Sequence, residues 1–163
     1  MKQDRFLIGI LIGIAVLIIA ALVVFFIRKD NLNYSDAVSP EAVVQNYVVA
    51  LHKREFDKAY GYLADLPGKP SADDFRQAIL NHEIDPTSVG LEIGKTEISA
   101  DSATVSLGII YSPNDPFSSG NRNSDFAQLI QQQGIWKLKQ LPANNFWSYN
   151  WYQPLNPTAI PVK

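Results

Sequence analysis

The chain reads as an α+β protein: one apolar helix, then about three amphipathic helices, then antiparallel hairpins. Three observations predict this. The run from Phe6 to Ile27 holds no charged or strongly polar side chain. Between residues 39 and 80, apolar side chains recur at helical spacing behind serine caps. From residue 89 to 141 the period changes to two, interrupted by short turn sequences. Helices followed by hairpins give a sheet whose apolar face the helices cover.

The apolar run comes first. About 22 residues at roughly 1.5 Å rise make a helix near 33 Å, enough for a bilayer core of about 30 Å. Within lipid each backbone N–H and C=O needs a partner inside the segment, which leaves the helix as the form for a lone span. A cleaved signal peptide has a shorter core, about 7–15 residues, and ends in a small-residue cleavage site. Here Ala20 and Ala21 lie inside the run, and Arg28-Lys29 close it. The expected partner of this segment is therefore the lipid bilayer. Lys2 and Arg5 before it balance Arg28 and Lys29 after it, so flanking charge does not orient the span. The short amino-terminal tail favours N-in, placing the body on the extracytoplasmic side of the cell membrane. Gly9 and Gly13 have the spacing that lets two helices approach, which offers a homodimer or a membrane-protein contact. Glycine is common enough in such helices for chance to explain the pair.

The expected organisation is a tail and transmembrane helix over 1–29, a polar linker over 30–38, the α+β domain over 39–145, and an aromatic, proline-rich tail over 146–163. The 163 residues include 14 Lys+Arg, 16 Asp+Glu and no Cys, so no disulfide or lipidated cysteine is available. Beyond the span the body carries 10 basic and 15 acidic residues, a net charge of −5. Such a body excludes nucleic acid as a partner, because that binding rests on clustered Lys and Arg.

Ser39-Pro40-Glu41 opens the first body helix with a cap, a proline at the first helical position and a carboxylate at the positive dipole end. Val43, Val44, Tyr47, Val48 and Leu51 then form one face. Phe56, Ala59, Tyr60 and Leu63 mark a second, short helix, which Leu66-Pro67-Gly68-Lys69-Pro70 ends. Ser71 caps a third, with Phe75, Ile79 and Leu80 facing inward. Residues 89–99 and 103–111 alternate as half-buried strands, with Val105, Leu107, Ile109 and Tyr111 on one face. Residues 112–124 form a loop of Pro, Asn, Asp, Ser and Gly, long enough to be functional or mobile. A second hairpin, 125–132 with 135–141, turns at Gln133-Gly134 and puts Trp136 and Leu138 on a shared face.

The stretches SPEAVVQNYVVALHKREFDKAYGYL, SADDFRQAI and the closing GIWKLKQL resemble the nuclear transport factor 2-like superfamily across residues 39–141. More narrowly, the chain looks like the membrane-anchored bacterial-type members of unassigned role. The resemblance implies a strongly curved antiparallel sheet wrapped round the helices as a cone with an internal pocket. That fold hosts isomerases, dehydratases, polyketide cyclases and non-catalytic association modules, so it does not choose the function by itself.

Candidate chemistry is sparse. His52 and His82 are the two histidines; the first ends a helix, where a cationic group suits the dipole. His82-Glu83-Ile84-Asp85 lacks a second histidine at helical spacing and falls short of a zinc pattern. Asp73 and Asp74 are explained by their place in a first helical turn. No catalytic residue, metal or cofactor is expected. Tyr47, Tyr60 and Tyr111, with Trp136, are the candidates to line a pocket for an apolar ligand. Phe146, Trp147, Tyr149, Trp151 and Tyr152 hold five of 18 aromatic residues within seven positions. They are candidates for a partner surface, for contact with the membrane interface, or for a cap folded back over the cone. The expected function is a single-pass, membrane-anchored extracytoplasmic binding or assembly module without catalysis. The alternative is a small enzyme or carrier holding an apolar ligand in the cone pocket.

Overall fold

The computed structural model describes residues 5–28, 33–111, 120–142, 145–148 and 151–152, with side chains of the first helix described over 8–23. The chain divides into two compact units, Met1–Leu32 and Asn33–Lys163.

In the first unit, α1 spans Arg5–Arg28, 24 residues. Its side chains from Ile8 to Val23 are exposed on every side, with Leu17 at 71% and Leu11 at 62%. These described side chains cover roughly 24 Å of helix at about 1.5 Å per residue. Among the described residues no helix is long and apolar enough to cross a membrane.

The second unit is α+β, three helices followed by a four-stranded antiparallel sheet. Helix α2 spans Pro40–His52, α3 Phe56–Gly61 and α4 Ala72–Leu80. Ser39 caps α2 by accepting the Ala42 N–H at 3.3 Å, and Ser71 caps α4 by accepting that of Asp74 at 3.1 Å. Strands β1 (Val89–Ser99), β2 (Ser102–Tyr111), β3 (Arg122–Gln132) and β4 (Ile135–Gln140) lie side by side in chain order. A bulge between Ile93 and Thr96 breaks the β1–β2 register. The β3–β4 turn puts Gln133 and Gly134 at φ of 54° and 78°, the two left-handed residues of a tight hairpin. Leu63 bridges Leu138: the Leu138 N–H donates to the Tyr62 carbonyl and the Ala64 N–H to the Leu138 carbonyl, each at 2.8 Å. This pairing covers the outer edge of β4.

The core follows the two periods. Val43, Val44, Tyr47, Val48 and Leu51 of α2 meet Val105, Leu107, Ile109, Leu129, Trp136 and Leu138 of the sheet, all buried, with Phe75 and Ile79 of α4 alongside.

Four details differ from the sequence reading. Leu80, expected inside, is 52% exposed; it lies one residue past Ile79 on the last turn, and Ala78 and Ile84 fill the core instead. Strand β3 begins at Arg122 rather than at 125, because Arg122, Asn123 and Ser124 pair with Ile110, Ile109 and Gly108 despite their polarity. The described part of the expected linker, Asn33 to Val38, lies along α2: Asn46 accepts the Ser35 N–H at 2.7 Å and donates to its carbonyl at 2.9 Å. Tyr34 donates to Glu55 at 2.6 Å, with Lys58 Nζ 3.2 Å from its ring centroid. Trp147, placed by the sequence reading in a tail beyond the domain, is fully buried and belongs to the core. Residues 112–119 of the expected loop lie outside the described residues.

Candidate functional site

Two of the three tyrosines proposed for a pocket, Tyr47 and Tyr60, turn their hydroxyls to the backbone. Tyr47 is fully buried and donates to the Trp147 carbonyl at 2.6 Å; burial pushes its phenol well up from the usual tyrosine range. Tyr60 donates to the Pro70 carbonyl at 3.0 Å and sets its ring edge-on to Phe75. Tyr111 packs edge-on against Phe146, centroids 5.6 Å apart, and Trp136 is a buried residue of the sheet face. Backbone carbonyls at Trp147 and in the loop before α4 thus take up the Tyr47 and Tyr60 hydroxyls.

The aromatic tail is equally committed. Trp147 fills the interior beside Tyr47, Trp151 lies against Phe75 at 5.2 Å, and Tyr152 donates to the Ala64 carbonyl at 2.7 Å. Gly68, at φ 89°, makes the close approach possible: a Cβ there would stand 3.0 Å from the Tyr152 Cα. Phe146, Trp151 and Tyr152 are half-buried, and Tyr149 lies outside the described residues. The described residues of the segment cap the body, because indole and phenol rings carry large apolar areas that burial removes from water.

An open concavity lies elsewhere, where α2 and α4 end. Its volume is about 130 Å³. Leu51, Ile79, Ile84 and Pro86 form a buried floor, and Phe56 and Leu80 extend it toward solvent. His52, Arg54, His82, Asp85 and Thr87 make the rim. A shallower depression of about 290 Å³ adjoins it, sharing Arg54 and Phe56.

Local chain geometry builds this rim. At the end of α2 the Arg54 N–H reaches the Leu51 carbonyl at 3.0 Å and the Glu55 N–H the Ala50 carbonyl at 2.9 Å. At the end of α4 the His82 N–H reaches Ile79 at 3.2 Å and the Glu83 N–H reaches Ala78 at 2.9 Å. These are paired Schellman closures, a motif whose left-handed residue is ordinarily glycine. Arg54 and His82 occupy that position here, both at φ 59°. Each carries a side chain into a conformation that costs roughly 1–2 kcal/mol outside glycine.

Asp85 is fixed across from them. Its Oδ1 accepts the Thr87 hydroxyl at 2.6 Å and the Thr87 N–H at 3.0 Å, and its own N–H donates to the Asn145 carbonyl at 2.9 Å. The Thr87 hydrogen bonds, and then the attraction of His82 and His52, hold its carboxyl below the usual carboxylate range. The two histidines are 30 positions apart in sequence, and only the meeting of two helix ends brings them together. Among the described residues no three His, Asp or Glu side chains gather as a metal site.

No protein-family model matches this chain, and no curated protein matches it. Solved structures show partial likeness. A SEC-C motif-containing protein from Rhodopseudomonas palustris aligns with a TM-score of 0.47 at 16% identity, covering 65% of this chain and 79% of that one. A protein described as an NTF2-like transpeptidase from Campylobacter jejuni gives 0.41 at 17% identity, over 61% and 96%. An uncharacterised cystatin-fold protein from Novosphingobium aromaticivorans gives 0.41 at 9% identity, over 64% and 100%.

Proposed function

We propose that the chain is a single-pass, membrane-anchored binding module of the nuclear transport factor 2-like superfamily, with its body on the extracytoplasmic side and the α2–α4 groove as its binding site. The observation that carries this reading is the groove itself, an apolar floor with a charged rim held at two helix ends. The interior speaks for a module over chemistry in a cone pocket, since the Tyr47 and Tyr60 hydroxyls already meet backbone carbonyls. The superfamily assignment rests on element order, three helices and then an antiparallel meander whose last hairpin carries Gly134-Ile135-Trp136-Lys137-Leu138.

The anchor rests on the apolar run, which continues past both ends of the described side chains, and on a backbone helix of 24 residues. Such a helix is about 36 Å long, and one that is apolar all round belongs in lipid or in a large core. In native membranes the full chain should resist extraction by alkaline carbonate, and protease added to intact spheroplasts should digest its body. Extraction refutes the anchor, and digestion only after lysis inverts the topology. A photo-crosslinking amino acid at position 80, in the groove, should capture a protein that the same probe at position 98 on the sheet does not. Equal capture from both positions removes the groove from the proposal.

A further inference from the structure

We propose that two copies of this chain join through strand β1, pairing it antiparallel about a twofold axis at Thr96, so that two four-stranded sheets become one. The proposal is independent of the groove. The chain treats the two edges of its sheet differently. Leu63 closes the β4 edge by pairing with Leu138. Strand β1, 11 residues long, pairs with β2 alone among the described residues. An open edge of this kind carries a row of N–H and C=O groups that another strand can meet.

The residues of β1 select a second copy as that strand. Lys95 and Glu97 flank Thr96, with Nζ 3.0 Å from Oε1 and side chains 79% and 71% exposed. With Thr96 opposite its counterpart on the axis, each Lys95 faces Glu97 of the other copy. Opposite charges placed directly across favour pairing. Moving the axis by one residue sets Lys95 against Lys95, or Glu97 against Glu97, and like charges directly opposite are destabilising. A lysine on an edge ordinarily deters pairing; here its counter-charge lies two residues along the same strand. Ile98 supplies an apolar contact. It stands level with Ala103, which is 3% exposed, and so lies on the helix-bearing face, yet it is itself 60% exposed. Across the axis it meets Gly94, where no side chain competes for the space. The bulge between Ile93 and Thr96 bends the strand, which keeps the joint short and centred near the axis. A twofold contact uses the same edge of both copies, and the closed β4 edge stops further addition.

The test traps the pairing with one introduced cysteine in the full chain in detergent micelles, the chain having none of its own. Under mild oxidation Thr96→Cys should form a disulfide dimer at least tenfold faster than Ile98→Cys. Residues directly across an antiparallel pair have Cβ atoms about 4.5–5.5 Å apart, whereas the two positions 98 would lie about 13 Å apart along the strands. Random collision gives the reverse order, since Ile98 is the more exposed of the two. In the Thr96→Cys background, Lys95→Glu or Glu97→Lys should each slow trapping at least tenfold. An equimolar mixture of those two variants should restore it, because opposite charges face each other again. Without any cysteine, protein mass by light scattering should show a dimer for the parent chain and for the mixture, and a monomer for either charge variant alone. Equal trapping at positions 96 and 98, a mixture no better than its components, or a monomeric parent overturns the proposal. A dimer that ignores both charge variants but is lost on Gly9→Ile with Gly13→Ile assigns association to the first helix and also overturns it.

Discussion

Replacing Trp147 by alanine should remove a large fraction of the body's stability. Its side chain is fully buried, and its indole N–H has no hydrogen-bond partner among the described residues. Truncation therefore loses packing and leaves a cavity, with no hydrogen bond to subtract. A buried tryptophan covers up to about 250 Å², worth roughly 6 kcal/mol at about 25 cal/mol per Å². Alanine keeps part of this, and the extended-chain reference overstates burial by roughly 10–40%. About 4 kcal/mol remains, inside the roughly 3–5 kcal/mol range for such truncations. The carbonyl that accepts the Tyr47 hydroxyl at 2.6 Å is backbone and survives the change, although its position depends on the ring. The assay is urea unfolding of the full chain in micelles, followed by near-ultraviolet circular dichroism, since the chain's tryptophans and tyrosines all lie beyond residue 32. The midpoint should fall with the slope unchanged. A loss under about 1 kcal/mol would refute the argument and return Trp147 to the surface.

Four further outcomes are expected. Tyr47→Phe, which strands a buried carbonyl, should cost about 1–2 kcal/mol in the same assay. Arg54→Gly and His82→Gly should each raise stability by about 1 kcal/mol, read as an increase in Tm, because they relieve left-handed side chains. Gly68→Ala should destabilise the body by more than about 1 kcal/mol and quicken proteolysis of the carboxy-terminal segment, because the new Cβ meets Tyr152 backbone and the φ of 89° is strained. Asp85 has a depressed carboxyl, so its contribution is complete above the unfolded pKa of about 3.9 and is lost as pH falls through the folded value. Asp85→Asn should accordingly lose less stability than the parent between pH 6 and pH 3.

What the sequence disclosed was whatever depends on neighbours in the chain. Ser39-Pro40 and Ser71 mark helix starts, the alternation through Val105, Leu107 and Ile109 marks a strand, and Gln133-Gly134 marks the turn of the last hairpin; all stand in the structure. Leu80 misled because helical period alone does not say where a nine-residue helix stops covering the sheet. Trp147 has no periodic context, so nothing local distinguishes a buried anchor from an exposed one. Asn46 reads as an ordinary helical polar residue until the Ser35 backbone is seen lying against it. The groove was invisible for the same reason: His52 and His82 each look like a polar residue at a helix end, and tertiary packing alone joins them.

The bond from Tyr47 to Trp147 spans 100 positions, and that from Tyr152 to Ala64 spans 88. Contacts this distant make for high contact order and slow folding, because the loop must close before the contact rewards it. They also set a schedule during synthesis. At about 5–20 residues per second, roughly 5–20 s pass between emergence of α2 and arrival of the indole that covers it. The apolar face of α2 has no complete partner in the nascent chain for that interval. The interval opens at Val43 and Val44 and closes with the aromatic residues that complete the core.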